Sequence, residues 1–523
     1  MTLSRRDVIR IAGGAALALP FASACQEDSG PGSRADPAAD ETGGALLRSS
    51  ARLPAPFGVP LPVPPVLQPV STSGGVDRYQ ITQRVAKVEL LPGLQTEIWG
   101  YEGRLPGPTI VSRSGRGTVV RHRNELPVPV AVHLHGGVTP PEHDGYPTDL
   151  ITPAGGWPAN GGHNGHTGQT SDLVKEYTYP LEQQAATLWY HDHRMDFTGP
   201  QVYRGLAGFH LVHDDNEDSL PLPKGDRDIP LMIFDRSFAE DGSFPYPSLD
   251  PSLRDRPGVT TEFMGGVLGD VILVNGAPWP RLEVSNTRYR FRLLNASNAR
   301  RYRLALDPPP PSGDPFIQIG SDVGLLGSPL GQSAIEISPA QRYDVVVDFS
   351  GYPVNTQVVL RNEIGEGGAA QVMRFDVVRR ATDDTRVPDR LSDFEELSRS
   401  SAARTRDLKF VRRGSDGMWT VNGQPFDPNR DDFDPRLNST EVWRIKSDAF
   451  RHPVHMHLAH FQVLSRDKGD QPWDAGWKDT VELRRGETVE LIARFTGYAG
   501  RYVFHCHNLE HEDMAMMANM RVV

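Results

Sequence analysis

The chain has 523 residues, a formal charge of −11 and a sequence pI near 5.9. At roughly 150 residues per domain that length excludes one small module, and the acidic balance excludes a surface ruled by phosphate contacts, so no nucleic-acid partner is expected. Two Cys exclude a disulfide framework, while 51 Gly and 45 Pro mark a turn-rich globular chain whose 17 His must be judged by where they fall.

Ser4-Arg5-Arg6-Asp7-Val8-Ile9 sets an arginine pair ahead of an apolar run, Ile11 to Ala24. That run is roughly 14 residues long, against about 20 for a bilayer-spanning helix, so residues 1–25 read as a signal peptide. The arginine pair resembles the twin-arginine export signal, and Ala22-Ser23-Ala24-Cys25 resembles a lipoprotein cleavage site at which Cys25 would be acylated. Export to the periplasm or cell envelope, lipid-anchored or secreted, is the expectation. Residues 26–74 follow as a tether and arm. The small polar residues to about 50 read as flexible, and Pro54 to Pro69 as an extended segment lying against the body.

From about residue 75 onward, strand-length segments alternate with Gly, Pro and Asn clusters, as in Arg78-Tyr79-Gln80-Ile81-Thr82 and Val130-Ala131-Val132. An all-β chain of sandwiches or barrels is expected. Polar breaks divide it into domains at 75–220, 221–385 and 406–523, with a linker at 386–405 in which Phe394 to Leu397 reads as a short helix. Three β-blocks in series suggest repeats of one fold.

Four His-x-His pairs stand out: His133-Leu134-His135, His191-Asp192-His193, His455-Met456-His457 and His505-Cys506-His507. On a strand, residues i and i+2 face the same way, so each pair can offer two imidazoles to one site. Two pairs fall in the first block and two in the third, which places a metal site between those blocks. Imidazole suits copper, zinc and iron alike, and the choice comes from Cys506. Its sulfur points away from its flanking histidines toward a second site, within reach of His452, His511 and Met516. A Cys, two His and a weak axial Met describe a blue-copper electron-transfer centre.

The pairs, His452-Pro453-Val454-His455-Met456-His457 and the terminal His-Cys-His segment resemble multicopper oxidases, most closely the bacterial spore-coat laccase and bilirubin oxidase group. Ile98-Trp99-Gly100-Tyr101, Gly107-Pro108-Thr109-Ile110, Ile272 to Gly276 and Gly476 to Thr480 share the likeness, which covers most of residues 55 to 523. The resemblance implies three cupredoxin-like Greek-key domains and four copper ions. His452, Cys506, His511 and Met516 would hold the blue copper, with His511 as the edge at which electrons enter. His133 and His455 would hold the lone copper of a trinuclear cluster, and His135, His191, His193, His457, His505 and His507 its coupled pair. Glu512 and Asp144 match acids that assist proton delivery to reduced oxygen. The implied activity is single-electron oxidation of phenolic, aromatic amine or tetrapyrrole donors with O₂ as acceptor, by a monomer.

The remaining histidines, including His122, His143, His210, His213 and His460, read as packing or surface residues. A Cu(I) or Mn(II) oxidase is the alternative within the class, although the 11 Met include no long Met-rich run. A copper-free envelope scaffold would lack several of these ligands, and a copper nitrite reductase needs neither the four pairs nor the His-Cys-His segment.

Overall fold

The computed structural model describes residues 43–157, 168–414 and 417–523. The arginine pair, the apolar run, Cys25, His163 and His166 lie outside the described residues. Among the described residues no helix is long and apolar enough to cross a membrane.

Six larger sheets draw their strands two by two from three stretches of chain, Ser71–His213, Asp228–Arg379 and Arg404–Val522. Each stretch opens the same way. Val76–Leu91 pairs in parallel with Gly117–Asn124, Asp228–Arg236 with Arg288–Asn295, and Arg404–Arg412 with Ser439–Ser447. A parallel pair cannot be joined by a hairpin, so the same crossover appears three times, and this repetition was too faint to establish from sequence.

Between the two sheets of each stretch lies an apolar core. In the first, Tyr79, Ile81 and Val120 of one sheet meet Val132, Leu134 and Leu188 of the other. In the third, Phe410, Trp443 and Leu491 meet Val454, Phe504 and Met520. Strand Arg404–Arg412 shows the matching alternation, with Arg406, Leu408 and Phe410 inward and their neighbours outward. The strands that carry the histidines behave differently. Val132–His135, Ala186–Asp192 and His452–Met456 are buried along their whole length, because one face meets the core and the other meets the opposite domain.

Two connections depart from expectation. Phe394 to Leu397 is not helical. Its side chains and backbone are drawn out along the third domain, where Leu397 N–H donates to Gln462 Oε1 at 2.8 Å, Glu395 pairs with Arg494 and Phe394 packs near Trp477. Residues 43–50 are likewise docked rather than free. Ala45–Leu46 forms a short parallel pair with Val267–Leu268, and Ser49 N–H donates to Asp270 Oδ2 at 2.8 Å. The Pro-rich arm does lie against the body, bridging at Pro60 to Arg281 and at Val66 to Thr109.

Candidate metal centres

Strand pairing brings the four His-x-His pairs together. In the first domain His133 stands opposite His191 on antiparallel neighbours, and in the third His455 stands opposite His505. Directly opposed residues sit about 5 Å apart at Cβ, so each domain presents a compact patch of imidazoles. His193, His457 and His507 lie past the strand ends, where their N–H groups are tied to Ala131 O, Val503 O and Pro453 O. The two patches face each other, and all eight rings are buried.

The closest rings stack across the two domains, His135 on His455 at 3.6 Å and His133 on His457 at 3.7 Å, and within this shared cage three groups are of interest. His133 and His455 approach with their Nε2 atoms 3.4 Å apart. His193 and His457 each bring Nε2 to 3.3 Å from His505 Nε2. His135, His191 and His507 form the third group, with ring centroids 5.1 to 5.7 Å apart.

Six of the eight rings have one nitrogen held by hydrogen bonding. Nδ1 of His133 donates to Asp144 O at 2.6 Å, that of His455 to Asp479 O at 2.9 Å, that of His191 to Asp192 O at 2.8 Å and that of His505 to Cys506 O at 3.1 Å. His457 Nδ1 donates to Asp144 Oδ2 at 2.6 Å. His135 is turned over: its Nε2 donates to Asp479 Oδ1 at 3.1 Å, and its Nδ1 faces inward. Fixing one ring nitrogen fixes the tautomer and leaves the other as a lone-pair donor, the arrangement that metal-ligating histidines use.

A metal fits this cage. His135 Nδ1, His191 Nε2 and both nitrogens of His507 are buried with no hydrogen-bond partner, a costly state that coordination removes. Burial, then the surrounding imidazoles, hold His133 and His457 well below the ordinary histidine range, so they are neutral and able to bind metal.

The second cluster lies on the other face of strand Gly500–Cys506. Cys506 Sγ is 3.6 Å from Nδ1 of both His452 and His511. Met516 is buried in the same core, its backbone joined to both neighbours through Cys506 N–H to Met516 O and Met516 N–H to His511 O, each at 3.0 Å. Burial pushes the Cys506 thiol well up, so a thiolate forms here only with a cation beside it.

Both acids singled out from the sequence touch the cage. Asp144 is buried between His133 and His457, and burial raises its carboxyl well above the usual range. Glu512 has Oε2 3.1 Å from His505 Nδ1 and Oε1 3.4 Å from His193 Nδ1, and accepts from Thr198 Oγ1 at 2.8 Å. Burial works upward on Glu512, but His193 and His505 outweigh it and leave the carboxyl at about 2.

Three features escaped the sequence reading. Asp479 serves two cage histidines at once, and Arg342 from the middle domain fixes it with bonds of 2.7 and 2.5 Å. The signal was present in Gly476 to Thr480, but nothing local ties that phrase to Arg342. Asp192, between His191 and His193, holds the loop by accepting from Ala131 N–H and Arg194 N–H. The third is the surroundings of His511, read as the edge at which electrons enter. His511 is 0% exposed, stacked on Trp419 at 3.6 Å, and hydrogen-bonded to Gly265. The other five histidines in the described residues pack elsewhere: His122 on Gln83, His210 on Ser112, His213 on Glu217 and His460 on Gly136 O, with His143 half-buried near Lys175.

The comparisons with known proteins agree with this arrangement. Models of the multicopper oxidase family match residues 82–217 and 400–523. A laccase from Bacillus subtilis is 36% identical over 88% of this chain and 97% of its own length. A bilirubin oxidase from Albifimbria verrucaria is 35% identical over 97% of this chain and 88% of its own. A solved laccase from Pediococcus acidilactici superposes with a TM-score of 0.78 at 30% identity, covering 91% of this chain and 96% of that one. The chain, all-β with cupredoxin-like domains, belongs to the multicopper oxidase family.

Proposed function

We propose that this laccase-like oxidase takes single electrons from phenolic, aromatic amine or tetrapyrrole donors at the Cys506 cluster and delivers them to O₂ at the histidine cage. One observation carries the reading. Cys506 sits in one cluster, while its covalent neighbours His505 and His507 sit in the histidine cage, so an electron crosses between them through a few bonds. Each phenol that reacts loses one electron to the protein and one proton to solvent. Four such events, with four protons, convert one O₂ into two waters.

Four coppers match that electron count, and copper supplies the one-electron chemistry when bound. His452, Cys506, His511 and Met516 would hold one ion. His133 and His455 would hold a second, and the two triads, His193–His457–His505 and His135–His191–His507, the remaining two. Asp144 and Asp479 hold imidazoles in place through their outward nitrogens. Glu512 and Asp144 stand where a proton can pass toward the cage interior, Glu512 through its contact with two cage rings and Asp144 through His457.

The same reading places the mature protein as a monomer in the periplasm or cell envelope. Its support is the arginine pair at Arg5 and Arg6, and the lipid anchor rests on Cys25. Folding before export suits a protein whose ligands come from two domains. The domain limits 75–220, 221–385 and 406–523 are supported by the three pairs of sheets.

The test is a donor panel with O₂ uptake on copper-loaded protein, alongside metal analysis. Phenols or bilirubin consumed with about four coppers per chain support the reading. Cu(I) or Mn(II) outrunning every organic donor, or protein without blue absorption, overturns it.

A further inference from the structure

Neither histidine of the Cys506 cluster reaches solvent: His452 and His511 are both 0% exposed, so a donor meets neither ring directly. One side chain touches both. Trp419 stacks on His511 with ring centroids 3.6 Å apart and meets His452 edge-on at 5.8 Å. Its indole N–H donates to Met264 O at 3.2 Å, which fixes the ring against the two imidazoles. The short strand Trp419–Val421 pairs antiparallel with Arg404–Arg412, and Trp419 stands directly opposite Arg412. Opposed residues share a face, and the Arg412 guanidinium accordingly lies over the indole, its carbon 5.3 Å from the ring centroid.

Arg412 is exposed. Its Nε donates to Gly417 O at 3.1 Å, and among the described residues its two terminal nitrogens have no hydrogen-bond or ion-pair partner. The nearby carboxylate of Asp448 is occupied otherwise: it accepts from the backbone N–H groups of Arg412 and Phe450 and faces His452 Nε2. Phe450, half-buried, meets Trp419 edge-on at 5.1 Å. A guanidinium with free N–H groups pairs with a carboxylate through charge-assisted hydrogen bonds, and its flat face accepts an aromatic ring.

We propose that Arg412, Trp419 and His511 form the column by which electrons enter, and that it favours aromatic donors bearing a carboxylate. The donor's carboxylate pairs with Arg412, which holds its ring beside the column. A phenol held there loses one electron through the indole to the Cys506 centre and one proton to solvent, and leaves as a phenoxyl radical. The indole ends each transfer unchanged. Trp419 makes no contact with the donor and acts through His511, bridging with a conjugated ring the layer that separates the buried imidazole from the surface. The inference narrows the donor class proposed above and rests on the assignment of copper to Cys506, His452 and His511.

The experiment uses copper-loaded parent, Trp419→Leu, Trp419→Phe and Arg412→Gln. Each is mixed rapidly under nitrogen with 2,6-dimethoxyphenol or with syringate, the same ring carrying a carboxylate, and the loss of blue absorption is followed. The midpoint potential of each is measured, as is syringate binding to dithionite-reduced parent and Arg412→Gln by tryptophan quenching, which separates binding from electron transfer. Trp419→Leu is expected to slow reduction by both donors about tenfold or more at an unchanged potential, and Trp419→Phe to recover most of that loss. Arg412→Gln, a surface change that tests the column even where the Leu variant does not fold, is expected to lower the syringate-to-dimethoxyphenol rate ratio and the syringate affinity about threefold, the scale of an exposed charge pair. Parental rates in Trp419→Leu with its blue absorption intact, or a rate loss matched by a shifted potential, overturn the column. An Arg412→Gln ratio equal to the parent's overturns the docking of donors there. A parent without blue absorption overturns the copper assignment instead.

Discussion

Arg342, in the middle domain, grips the carboxylate of Asp479, in the third, with both terminal guanidinium nitrogens, at 2.7 and 2.5 Å. Asp479 in turn accepts from His135, in the first domain. A single carboxylate therefore ties all three domains to the histidine cage. Replacing Arg342 by Met leaves the Asp479 charge buried without its partner, at a cost of about 3–5 kcal/mol. The expected outcome is a lower thermal midpoint and loss of copper from the cage before loss of the blue absorption, read by calorimetry and metal analysis. A variant with full copper and an unchanged midpoint would contradict the role given to this pair.

Cys506→Ser removes the thiolate while leaving His505 and His507 in place. Blue absorption and donor oxidation are expected to disappear, whereas the cage keeps most of its copper. Absorption spectra, electron paramagnetic resonance and copper counting check this together. Full turnover in the variant would reject Cys506 as the electron's way in.

Glu512→Gln keeps the size of the side chain and removes its charge beside His193 and His505. O₂ consumption is expected to fall by about a hundredfold or more, the usual scale for losing a proton-transfer group. Reduction of the blue centre by donor, measured anaerobically by rapid mixing, should stay near the parent rate. Slowed reduction with normal O₂ consumption would be the opposite of the proposed role.

Export is tested separately from catalysis. Arg5→Lys combined with Arg6→Lys should trap full-length precursor inside the cell, visible by fractionation and immunoblot. Normal delivery to the envelope would point to a route that does not need the arginine pair.

The histidines were legible because a strand is locally periodic: His133 and His135, or His505 and His507, share a face whatever the rest of the chain does. The opposite direction of the Cys506 side chain follows from the same rule. What closes the site was not legible, because it is non-local. Arg342 and Asp479 lie in different domains, and neither has a neighbour in sequence that announces the other. Phe394 to Leu397 carries helix-compatible residues, but Gln462, Arg494 and Trp477 offer it better partners when drawn out. The polar composition before residue 50 suggested a free tether, and it gave no hint that Ala45 and Leu46 would find an edge at Val267 and Leu268.

With copper bound at the cage as proposed, the bridge from Arg342 through Asp479 to His135 would also make metal uptake a proofreading step. No domain alone holds a finished cage: the first brings four imidazoles, the third brings four more, and the middle one brings the cation that steadies the carboxylate between them. A chain with any one domain misdocked presents scattered histidines and weak sites. Copper retained at the cage therefore reports that all three domains have found one another.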